Sequence, residues 1–162
     1  MASRPARAGC AIEEHLASVH DVEISVSHAL GYTPIPKLDV AKLESDILAT
    51  ITTRLQREND LKVSKSGSHH LYVMLSHAWG VPWDAPRPGE VALRVSLELT
   101  ERAHLESECK AKNEATCPWR WVTTWSTDSL MLTALSDVPD AILRSVRREV
   151  DWFVEAVHAA RP

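Results

Sequence analysis

The residues of this chain whose types could do chemistry fall into three groups. The first is His69, His70 and His77, on a stretch that reads as a strand. Neighbouring strand residues point to opposite faces, so His69 and His77 can share a face that His70 cannot join. Extended chain between His69 and His77 spans roughly 26 Å, too far for one ion, and a closed site needs about four converging ligands. No metal site is expected there.

The second group is His104, Cys109 and Cys117. Both cysteines lie in a polar loop between two predicted strands and could meet across it as a disulfide in an oxidising compartment. Unpaired thiols are the favoured reading, the disulfide is the minority alternative, and a zinc site ranks well below both.

In the third group, Ser126 and Asp128 could join a histidine as a hydrolase triad, but no Gly-x-Ser-x-Gly elbow accompanies them. Trp119, Trp121 and Trp125, with Arg120 beside them, could line a ligand face. The same rings would equally fix sheet packing against a helix, and that reading is preferred because a two-layer fold needs same-face aromatics. The binding candidates are therefore Arg120, Trp125, Ser126 and Asp128. No catalytic residue, metal or cofactor is assigned.

Bulk properties narrow the function classes. The 162 residues are 44% hydrophobic and 25% charged, which suits a packed globular domain rather than a disordered chain. A formal net charge of -4 argues against a nucleic-acid binder. Arg144, Arg147 and Arg148 read as a solvated helix face with acids alongside. No apolar run reaches the ~18 residues of a membrane span. Residues 1–20 are expected to be a flexible tail and 21–162 a single domain. As written, nothing exports the chain, which points to the cytoplasm; a hydrophobic segment upstream of Met1 would move it to the periplasm or envelope.

The elements that position these groups follow from periodicity. Val22, Ile24 and Val26 alternate with polar residues as a half-buried strand does. Val40, Leu43, Ile47, Leu48, Ile51 and Leu55 make one helical stripe behind an Asp39 cap. Strands are predicted from Leu71 to Trp79, Glu90 to Thr100 and Trp119 to Ser126, with Leu130 and Leu132 beyond a break at Thr127-Asp128. Trp119, Trp121, Thr123 and Trp125 are counted onto one face. A last helix starts near Asp137, with Ile142, Val146, Val150, Phe153 and Val157 buried. The expected fold is α+β, a two-layer sandwich with an antiparallel sheet of about four or five strands and two long helices on one face.

The strand Trp121-Val-Thr-Thr-Trp-Ser126 and the helix Ile142-Leu-Arg-Ser-Val-Arg-Arg-Glu-Val-Asp-Trp-Phe-Val154 resemble a group of uncharacterised bacterial proteins. In that group a Thr-Trp-Ser strand precedes a terminal helix. The resemblance runs from about residue 22 to the end. Asp128 and Met131 stand where the group usually carries glycine. Because members often carry an export signal, the resemblance implies an envelope setting; it brings no catalytic residues. The expected function is a non-enzymatic binding or accessory module, with an exposed sheet face or edge meeting a protein or small-molecule partner. The rival is a small hydrolase or metal-dependent enzyme using the loop histidines and cysteines.

Overall fold

The computed structural model describes residues 15–29, 35, 37–78, 89–104 and 119–162. The alternating segment forms strand β1 (Asp21–Ala29), followed by helix α1 (Val40–Leu55). The Asp39 carboxylate accepts from the Lys42 backbone amide at 3.0 Å, satisfying one of the first-turn donors that a helix leaves unpaired. Leu43, Ile47, Ile51 and Leu55 are buried, whereas Leu48 rides on the exposed flank of the stripe. Strands β2 (Lys62–Val63), β3 (His69–Ala78), β4 (Glu90–His104) and β5 (Trp119–Ala134) follow. A 3-10 turn, Leu135–Asp137, then leads into helix α2 (Val138–Ala160). Proline in the first turn of α2 costs nothing, since no intrahelical donor is lost there.

The fold is α+β, with a five-stranded sheet in the order β2-β1-β3-β4-β5. The expectation of an antiparallel sheet needs correcting, because β1 pairs in parallel with both β2 and β3. A helical crossover returns the chain in the direction it left, so strands on either side of α1 run together. The pairs β3–β4 and β4–β5 are antiparallel, so most of the sheet matches the prediction.

One sheet face is sealed by the helices. Leu71, Val73 and Leu75 of β3 join Val91, Leu93, Val95, Leu97 and Leu99 of β4 and the buried sides of α1 and α2 in one core. Fully burying side chains of this size stabilises by about 1.5–3 kcal/mol each. Leu16 and Val19, on and just after the helical turn at His15–Ala17, also belong to this core.

Two positions favour glycine, one for its surroundings and one for its backbone conformation. Gly67 lies so close to β1 that a Cβ there would fall 2.6 Å from the Glu23 backbone nitrogen. Gly89 enters β4 with φ of 91°, a conformation that side chains disfavour, and its carbonyl accepts from the Leu135 amide at 2.8 Å.

Strand β5 departs furthest from expectation. It runs unbroken through Thr127 and Asp128 for 16 residues. Leu99 pairs with Trp125 and Thr100 with Thr123, so Thr124 is an extra, bulged residue. Its hydroxyl donates to the Leu99 carbonyl at 3.4 Å. Because side chains alternate, one inserted residue swaps faces for everything before it. Trp119 and Trp121 therefore face outward with Arg102 and Thr100, and Trp125 faces the helices. Placing all three tryptophans on one face was wrong for this reason.

Candidate binding face

The outer sheet face carries no helix among the described residues. On it the register aligns His70 with Thr100 and Arg102 with Trp121. Trp121 meets the His70 ring edge-on at 5.6 Å, and the Arg102 guanidinium sits 5.7 Å from the Trp121 ring centre. Tyr72 approaches His70 at 6.0 Å, and Ser25 Oγ lies 2.8 Å from His70 Nε2. Further along β5, Leu130 and Leu132 project from the same face and are 75% and 62% exposed. With Trp119 and Trp121 they make four of the six large hydrophobic residues exposed among the described residues, all on one side of one strand.

Among the described residues that strand is also a sheet edge. A partnerless strand offers a row of backbone donors and acceptors, and proteins ordinarily guard it with charges, prolines or brevity. The opposite edge, β2, is two residues long. By contrast, β5 contains no proline or lysine, and between Trp125 and Ala134 its one charge is Asp128. Asp128 accepts from Arg94 at 3.1 Å, with both side chains more than half exposed, a pair worth at most about 1 kcal/mol.

The four predicted binding residues are not brought together. Ser126 and Asp128 lie outward and exposed. Trp125 is half-buried, its ring 5.4 Å from that of Phe153, which is the packing role. Arg120 is exposed, opposite Ala103 on the other side of β5 from Trp119 and Trp121. His70, Tyr72 and Arg102 are the neighbours that sequence reasoning missed. Their parity was legible, but only the strand register places His70 and Arg102 beside Trp121, with Tyr72 next to His70.

The histidines separate as strand parity requires. His69 is buried, with Nδ1 2.9 Å from Ser68 Oγ and Nε2 3.5 Å from the Glu101 carboxylate. Glu101 holds His15 more closely, at 2.7 Å. Burial pushes the His69 pKa below the ordinary imidazole value, against the opposing pull of Glu101. Serine, histidine and glutamate thus adjoin, but neither cleft described below is lined by any of them. The arrangement fastens the His15 turn to the end of β4. Cys109 and Cys117 lie outside the described residues, as do Trp79 and Trp83.

Among the described residues one further group could hold an ion by composition, Glu58, Asp60 and His158. Its carboxylates are already paired with cations, Glu58 with Arg54 and Asp60 with Arg161. His158 stands 3.4 Å from Glu58 and 3.8 Å from Asp60. The group ties the end of α2 to the end of α1.

Clefts among the described residues include two that flank α2. One, of about 620 Å³, lies between the helices and includes Asp46, Arg54, Arg57, Arg147 and Asp151. Arg54 is committed there to Asp151 at 2.6 Å. The other, of about 320 Å³, lies between α2 and β5. No helix of the described residues is long and apolar enough to cross a membrane.

No protein-family model matches this sequence, and comparison with curated proteins yields no match. Solved structures similar to it include bacterial hypothetical and lipoprotein-type proteins. The PelC dodecamer of Paraburkholderia phytofirmans is 14% identical over 85% of this chain and 88% of that one, with a TM-score of 0.40. A hypothetical protein of Chlamydia trachomatis is 9% identical over 88% and 98%, with a TM-score of 0.43. The rare lipoprotein B of Shewanella oneidensis is 11% identical over 85% and 94%, with a TM-score of 0.37.

Proposed function

We propose that this protein is a non-enzymatic binding module that takes an extended polypeptide segment along β5. The observation that carries this reading is the coincidence of a sheet edge that no further strand pairs among the described residues with the outward row Trp121, Leu130 and Leu132. Backbone pairing would supply affinity, and alternate side chains of the added strand would meet that row. Its setting, in this reading, is the bacterial envelope, supported by the sequence resemblance of the Thr124-Trp125-Ser126 strand and terminal helix.

Display selection of extended peptides on the intact protein tests the proposal. Selected peptides should slow amide exchange between Ser126 and Ala134. They should lose binding when Leu130 and Leu132 are both replaced by lysine, while the melting temperature holds. Peptides that bind this double variant as well as the parent protein would refute it.

A further inference from the structure

The reading of β5 as an acceptor edge, on which this inference rests, leaves the chemistry of the added segment unspecified. The groove of about 320 Å³ running under that edge supplies it. Its walls include Met131 and Thr133 of β5 and Ala141, Arg144, Ser145 and Arg148 of α2, and every charged residue lining it is an arginine. Arg148 is partly engaged, 3.5 Å from the buried Glu149 carboxylate and 5.3 Å from the centre of the Trp152 ring. Arg144 is exposed and has no ion-pair partner among the described residues. A cationic groove on a chain of net charge -4 is a local feature that the overall charge does not explain.

A strand added at β5 presents alternate residues to the two sides of the sheet. We infer that the partner is an acidic extended segment, with carboxylates on alternate residues seated over Arg144 and Arg148 and apolar residues between them against Leu130 and Leu132. A second copy of this chain fits the site less well. Antiparallel self-pairing centred on the groove would bring two Arg144–Arg148 pairs together, and β5 offers only Asp128 as an acid. The charge match sets specificity and association rate, and the ladder and apolar row hold the segment.

Two labelled peptides of about ten residues, one alternating valine with glutamate and the other valine with lysine, provide the test by fluorescence anisotropy against the full chain. The glutamate peptide should bind more tightly, and the preference should shrink as salt is raised. Arg144→Glu should weaken it about tenfold and favour the lysine peptide, with no change in melting temperature. Equal binding of both peptides, still abolished by the Leu130 and Leu132 lysine variant, would overturn the acidic partner and leave the β5 acceptor reading standing. Failure of both peptides to bind would remove both. Self-association in the ultracentrifuge that is lost in the lysine variant would make the occupant a second copy and overturn the inference.

Discussion

Trp121 and Trp125 stand four positions apart on one strand and meet opposite fates. Trp125 lies against Phe153 in the core, whereas Trp121 is 52% exposed beside His70 and Arg102. Their residue type is the same and their burial differs because of one bulged residue, Thr124. Residue type thus sets how much apolar area is available, and register sets whether that area stabilises the fold or faces outward. The helix side of β5 carries Trp125, the buried Ser129 hydrogen-bonded to Ser145, and Met131. The outer side carries Trp121, Leu130 and Leu132.

Truncation tests that division most directly. Trp125→Ala should cost about 3 kcal/mol, read as a clear drop in denaturation midpoint. Trp121→Ala should stay within about 0.5 kcal/mol of the parent. Equal losses would erase the distinction between the two sides.

The segment before Trp119 sharpens the comparison, because it feeds the outward end of the strand. If the protein is exported, Cys109 and Cys117 should approach and bridge, which would stabilise by about 2–3 kcal/mol relative to the reduced form. Titration of unfolded, oxidised protein should find one free thiol of the three cysteines. Three free thiols would mean that nothing covalent tethers that end.

Gly67 offers a third probe, at the far side of the sheet. Gly67→Ala would press a methyl into β1 backbone at Val22 and Glu23, so it should destabilise by about 1–3 kcal/mol. Gly89 has open space around its Cβ position, and replacement there would meet only backbone strain.

The smallest effect expected is the pH response of His69. Its folded pKa lies below the unfolded value of about 6.5. Above 6.5 both states hold it neutral and its contribution is complete. As pH falls below 6.5 the unfolded chain binds a proton that the buried ring resists, so stability declines toward the lower folded pKa. His69→Gln should flatten that slope in denaturation curves taken between pH 7 and pH 5. An unchanged slope would move the acid sensitivity elsewhere.

Much of the core was legible in the chain by itself. The stripe of Leu43, Ile47, Ile51 and Leu55, the Asp39 cap, the alternation of Val91 to Leu99 and the buried side of the last helix all follow from local backbone periods. A helix repeats every 3.6 residues and a strand every two, whatever lies across from them. Tertiary structure alone decided the parallel pairing of β1, the bulge at Thr124, the sides taken by Trp121 and Trp125, and the placing of Arg144 and Arg148 beside β5. Each of these depends on which strand lies beside which and in what register. That choice is made by residues tens of positions apart competing for the same apolar face, and no local period encodes it.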